Sequence, residues 1–104
     1  MNKLHIYKLY KPITEKTLDK NSHLFDSRDW DDISYYQSLS EMFMEKHKDK
    51  LNWDYISSYQ NMSEGFIRKH FDKISFERII FNPKIKPGIS NKIYKEISLL
   101  KEII

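Results

Sequence analysis

Residues 30–52 read Trp30-Asp-Asp-Ile-Ser-Tyr-Tyr-Gln-Ser-Leu-Ser-Glu-Met-Phe-Met-Glu-Lys-His-Lys-Asp-Lys-Leu-Asn52. Residues 53–75 follow without a gap as Trp53-Asp-Tyr-Ile-Ser-Ser-Tyr-Gln-Asn-Met-Ser-Glu-Gly-Phe-Ile-Arg-Lys-His-Phe-Asp-Lys-Ile-Ser75. Thirteen of the 23 aligned positions are identical, where chance gives about one or two; a fixed period of this length is the mark of stacked supersecondary units. Each unit carries two helix starts. Positions 29, 52 and 75 are Asp29, Asn52 and Ser75, all side chains able to cap an orphan backbone N–H. An aromatic follows (Trp30, Trp53, Phe76), then a first-turn acid (Asp31, Asp54, Glu77), which the helix dipole favours. Ser40 and Ser63, each followed by Glu, open a second helix, and Phe66, Ile67, His70, Phe71 and Ile74 give its apolar stripe.

Helices this short are marginal in water on their own, so stacking must supply the stability. The expected fold is all-α, a solenoid-like stack of short helix pairs. Its expected core is Trp30, Ile33, Phe43, Trp53, Ile56, Phe66, Ile67, Phe76 and Ile79, with Trp30, Trp53 and Phe76 forming a ladder through neighbouring units and Phe43 and Phe66 beside it. Gln37 and Gln60 are expected to bond backbone groups between helices.

Working outward, a third copy begins at Phe76 and Ile79, then changes at Asn82-Pro83 and is broken by Pro87-Gly88. Upstream, Ile13-Thr14-Glu15 resembles Leu39-Ser40-Glu41 at an offset of 26 residues, with three residues inserted around 26–28. The expected organisation is one domain: an N-terminal cap and partial repeat (1–28), repeats at 29–51 and 52–74, a partial repeat (75–88) and a capping helix (89–104). Thr14 is the expected cap of a helix over 15–20. Ser90 is the expected cap of the last helix, whose apolar face is Ile93, Ile97, Leu100 and Ile104. Residues 1–11 alternate imperfectly, which leaves open a short N-terminal strand or an ordered cap. A strand at Ile79-Ile80-Phe81 pairing with residues 3–9 is the lesser alternative.

Composition narrows the function classes. The 104 residues include no Ala, Val or Cys, which excludes a disulfide scaffold, a thiolate zinc site and a cysteine nucleophile. Abundant Lys, Ile, Asn, Tyr and Phe point to an AT-rich genome: a low-GC bacterium, its phage or a large DNA virus. No apolar run approaches the roughly 20 residues of a membrane span, and the first residues lack the apolar segment of a signal peptide. The expectation is a cytoplasmic protein without a membrane partner. Residues 1–64 hold nine basic and eleven acidic side chains and residues 65–104 nine and four, so the C-terminal part is basic.

Candidate chemistry is thin. His47 and His70 occupy the same repeat position and lack the i, i+4 spacing of a zinc helix. Asp26, Asp29, Asp31 and Asp32 lack the alternation and central glycine of a calcium loop. Ser34, Ser40, Ser57 and Ser63 have no nucleophile-elbow context. No catalytic residue, metal or cofactor is expected. The two units differ at Asp32/Tyr55, Tyr35/Ser58 and Glu45/Arg68, where a repeat module varies its binding surface. With the basic Lys69, Lys73 and Arg78 these form the candidate surface. Arg68, Lys69, Lys73 and Arg78 also suggest an alternative, nucleic-acid binding through the basic C-terminal half.

Leu51-Asn52-Trp53-Asp54-Tyr55-Ile56-Ser57 and Met62-Ser63-Glu64-Gly65-Phe66-Ile67 resemble the short helical repeats common in proteins of phages and giant DNA viruses. There a Leu-Asp-Trp-x-x-Ile-Ser core precedes a Tyr-Gln-x-Leu-Ser-Glu-x-Phe-Ile run. Asn82-Pro83 is similar to a variant with Asn-Pro in the interhelix turn. The likeness spans residues 29–85 and departs at Gly65, where a bulkier residue is usual. It implies a helical-repeat protein, brings no catalytic residues, and, with the small size, points to a phage-type accessory protein that binds a host protein. The implied target is a host enzyme that it inhibits, such as a CRISPR or other defence nuclease.

Overall fold

The computed structural model describes residues 8–103, with side chains over residues 8–100. Their regular structure is all helical: α1 (Glu15–Lys20), a 3₁₀ turn (Ser22–Leu24), α2 (Ser27–Tyr36), α3 (Glu41–Lys46), α4 (Trp53–Tyr59), α5 (Glu64–Lys69), α6 (Phe76–Ile79) and α7 (Pro87–Ile103). α2–α3 and α4–α5 are the two repeated helix pairs. α1 stands where an earlier unit would have its second helix, and α6 where a later unit has its first. The first helices stack, α2 on α4 and α4 on α6, and α7 closes against α6. The molecule measures 51 × 25 × 19 Å, an elongated stack.

The repeat in sequence is a repeat in hydrogen bonding. Gln37 N donates to Ile33 O and Gln60 N to Ile56 O, both at 3.1 Å; His47 N to Phe43 O and His70 N to Phe66 O, again both at 3.1 Å. Ser40 Oγ accepts from Phe43 N and Ser63 Oγ from Phe66 N, capping α3 and α5. Asn52 Oδ1 caps α4 by accepting from Asp54 N and Tyr55 N, and Thr14 Oγ1 caps α1 by accepting from Thr17 N. A cap of this kind contributes about 1 kcal/mol.

Polar ladders tie one unit to the next. Ser34 Oγ donates to Trp30 O and accepts from Asn52 N; Ser57 Oγ donates to Trp53 O and accepts from Ser75 N. Gln60 donates through Nε2 to Ser34 O and Gln37 O while its Oε1 accepts from Leu39 N. Gln37 does the same one step earlier, donating to Leu9 O and Lys11 O and accepting from Ile13 N. At the third step stands Asn82, one methylene shorter. Its Nδ2 still reaches Ser57 O and Gln60 O, but its Oδ1 accepts from Lys84 N inside its own turn. These buried amides satisfy the backbone of the interhelix turns, which would otherwise be left unpaired away from water.

The core differs from expectation in one respect. Ile33, Ile56 and Ile79 are fully buried and form the column that runs through the stack, with Met44, Ile67 and Ile93. The tryptophans do not ladder. Trp30 rings with Phe43 (6.4 Å) and His47 (5.1 Å), and Trp53 with Phe66 (6.2 Å) and His70 (5.4 Å); among the described residues no ring contact joins Trp30 to Trp53 or Trp53 to Phe76. Each indole bridges the two helices of its own unit, packing on the Phe and His of the second. Trp30 is buried, whereas Trp53 is only half-buried.

Four local expectations are corrected. Asp29 is not an N-cap: α2 starts three residues earlier, because Asp26 Oδ1 accepts from Asp29 N and Asp29 Oδ2 from Asp26 N, a reciprocal capping box. Pro87 does not end a segment but opens α7 at its first position, where a missing N–H costs nothing; Ser90 therefore lies inside that helix, donating to Pro87 O. Ile79 is helical and Ile80-Phe81 form a turn, so no strand exists there. Ile93 is buried, but Leu99 and Leu100 are exposed, so the expected apolar face is not covered along its whole length. The suggested strand at residues 3–9 lies mostly outside the described residues, as does Ile104.

Candidate interaction surface

Every third or fourth residue of α2, α4 and α6 faces away from the core. On that face the structure gathers tyrosines. Tyr35 and Tyr36 close α2, with ring centroids 4.6 Å apart. Tyr35 also meets Tyr59 at 4.6 Å and Tyr55 edge-on at 5.2 Å, both from α4. Tyr55 and Tyr59 lie one turn apart at 6.3 Å, and Tyr10 meets Tyr36 edge-on at 6.5 Å. Tyr10, Tyr36, Tyr35 and Tyr59 remain 58%, 53%, 40% and 38% exposed, so the rings support one another laterally while leaving their outer surfaces open. The neighbouring Tyr59 hydroxyl, above all, raises the Tyr35 phenol above its ordinary value; a tyrosine hydroxyl can both donate and accept a hydrogen bond. Beyond Tyr59 the face opens into a cleft of about 630 Å³ lined by Ser58, Tyr59, Ser75, Glu77, Arg78, Phe81 and Pro83. Phe81 is 79% exposed.

Of the residues expected at the surface, Asp32, Tyr35, Tyr55 and Arg78 come together here. Tyr10, Tyr36, Tyr59 and Phe81 complete the face and were not among the expected surface residues. Tyr36 and Tyr59 are identical in the two units, so comparing units for variation passes over them.

Glu45, Arg68 and Lys69 lie on the opposite side and are engaged. Asp19 takes Lys46 Nζ and His47 Nε2, each at 2.8 Å. One unit on, Glu45 takes Lys69 Nζ at 2.6 Å and His70 Nε2 at 3.0 Å, with Lys48 at 3.3 Å. Lys69 foremost, against some desolvation and with Lys48 and His70 adding, holds the Glu45 carboxyl down to about 2. Lys46 and His47 likewise lower Asp19. The next acid position is Arg68, which reverses the charge and pairs with Glu64 (2.9 Å) and with Glu96 of α7 (2.8 Å). A second row runs beside it: Glu15 accepts from Ser40 N and Oγ, and Glu41 from Ser63 N and Oγ. Lys73 sits half-buried in the turn after α5, without an ion pair among the described residues.

The remaining polar candidates have structural partners. His47 and His70 are clamped between an indole and the preceding unit's carboxylate. Asp31 accepts from Asn52 Nδ2. Asp29 is buried, with Oδ1 lacking a hydrogen-bond partner, and burial first pushes its carboxyl up. Among the described residues no three His, Asp or Glu side chains are grouped to hold a metal ion, and no helix is long and apolar enough to cross a membrane. No protein-family model, curated protein or solved structure matches the chain.

Proposed function

We propose that this chain is a non-catalytic helical-repeat module that binds a protein partner through the tyrosine face of α2, α4 and α6. The supporting observation is the cluster itself: five tyrosines in mutual ring contact, four of them more than a third exposed. Tyrosine offers large, rigid contact area with a polar tip, and is enriched at the energetic centres of interfaces. A fold stabilised by buried isoleucines and backbone-bonding amides does not need these rings outside.

The likeness to phage and giant-virus repeats, together with the small size, supports the finer reading. In it the module is an accessory protein acting in the host cytoplasm, where it binds and inhibits a host enzyme of the defence-nuclease or CRISPR class. Nucleic-acid binding has less behind it, because Arg68 and Lys69 are held in ion pairs and Arg78 lies 3.9 Å from Asp54. The test is capture from nuclease-treated host lysate by the wild-type chain and by Tyr35→Ser/Tyr59→Ser. A stoichiometric protein retained by the first and lost by the second is the expected result. Retention by both, or loss on nuclease treatment, sinks the reading.

A further inference from the structure

On the same three helices acidic side chains outnumber basic ones. Each unit places an equivalent acid on them: Asp31, Asp54 and Glu77 form a row, one per unit. Each lies a helical turn before the outer row of Tyr35, Ser58 and Phe81. Asp32 adds a fourth carboxylate. Against these four stand two arginines, Arg28 and Arg78, in a chain whose net charge is +3. The Asp54 side chain is 64% exposed and, among the described residues, its one ion-pair contact is the long 3.9 Å approach of Arg78. Among the described residues Glu77 and Asp32 have no ion pair, and Glu77 lines the cleft beside Tyr59 and Phe81.

We infer that the partner presents an extended, arginine- or lysine-bearing segment that runs along the stack across α2, α4 and α6. This rests on the protein-binding reading above and names the chemistry of the bound segment. Acid and ring side by side make a site for a cation: the carboxylate supplies charge, and the tyrosine face attracts the ammonium or guanidinium through its quadrupole. The spacing fits as well. Packed helices stand about 8–10 Å apart, and an extended chain rises about 3.3 Å per residue, so every third residue of the segment meets the acid of the next helix. A phosphate backbone would instead bring its charges against the acidic row.

The test is fluorescence anisotropy with a labelled peptide of three Arg-Ser-Gly repeats, the matching Glu-Ser-Gly and Gln-Ser-Gly peptides, and labelled oligothymidine. The arginine peptide binds in preference to the other three. Tyr59→Ala and Asp54→Lys each weaken it about tenfold, the size of one cation site lost, with far-UV circular dichroism unchanged. A glutamate or glutamine peptide that binds as well and is lost in Tyr59→Ala overturns the basic segment and leaves the protein-binding reading standing. Oligothymidine binding lost in Tyr59→Ala overturns both. Arginine-peptide binding that is absent, or indifferent to both variants, overturns the inference, while lysate capture still decides the reading beneath it.

Discussion

Gln60 shows how a single side chain can hold two units in register. It is buried to 2% and satisfies three backbone groups, two carbonyls of the preceding unit's first helix and turn and the Leu39 amide. A hydrogen bond contributes about 1 kcal/mol net, but a buried group left unpaired costs about 1–3 kcal/mol. Gln60→Leu keeps the volume and strands all three, so it is expected to cost about 3–4 kcal/mol. Asn82 shows what a shorter amide can do: it keeps both carbonyls and turns its oxygen to its own loop. Gln60→Asn is therefore expected to cost about half as much, since it strands only the Leu39 amide. Urea midpoints in the order wild type, Gln60→Asn, Gln60→Leu check this; equal midpoints for the two variants would show that the amide's reach does not matter. The amide role was legible in sequence, because Gln37 and Gln60 recur at the end of each first helix. The tyrosine face was legible only at Tyr35 and Tyr55, where the units differ. Recurrence at Tyr36 and Tyr59 points toward scaffold, and no spacing rule separates a ring that ladders outward from one that packs inward until the helix directions are known.

At the scale of the element, each second helix is anchored to the unit before it by charge. α5 brings Lys69 and His70 onto Glu45 of α3, as the end of α3 brings Lys46 and His47 onto Asp19 of α1. Glu45 is held at about 2 in the fold, from an ordinary 4.5. A carboxyl lowered by folding adds stability that is complete above its unfolded value and is lost as the pH falls toward the folded one. The contribution of Glu45 is thus present above about pH 5 and fades between there and pH 2. Glu45→Gln is expected to melt at lower urea than wild type at pH 7, with the gap closing as pH approaches 2. A gap independent of pH would mean that the carboxylate's charge is not what anchors α5. Most helix boundaries were legible here because Thr14, Ser40, Asn52 and Ser63 cap with their own side chains. The failures have the same origin. Asp26 and Asp29 are both competent caps, and only their reciprocal bonding decides which one starts α2. Pro87 reads as a breaker in sequence but serves as the first residue of α7.

The whole molecule is a short one-dimensional array, and its energetics follow from that. A unit contacts only its neighbours, so a defect spreads by removing an interface on each side. Ile56 lies on α4, between α2 and α6, and is fully buried; Ile93 is just as buried but lies on α7, at the end, against α6. Replacing either by alanine removes similar volume, for about 2–5 kcal/mol. The reach of the damage differs. Ile56→Ala severs the array in its middle and is expected to lower hydrogen-exchange protection from α2 through α6 by one common amount. Ile93→Ala should lower protection in α6 and α7 and leave α2 and α3 near wild type. Within α7 itself, amides near Leu99 and Leu100 should exchange fastest in both proteins, since these side chains are half exposed. Native-state exchange followed by NMR reads all three. Uniform loss of protection in Ile93→Ala would show that the chain folds as one indivisible unit and that its helices do not act as a stack.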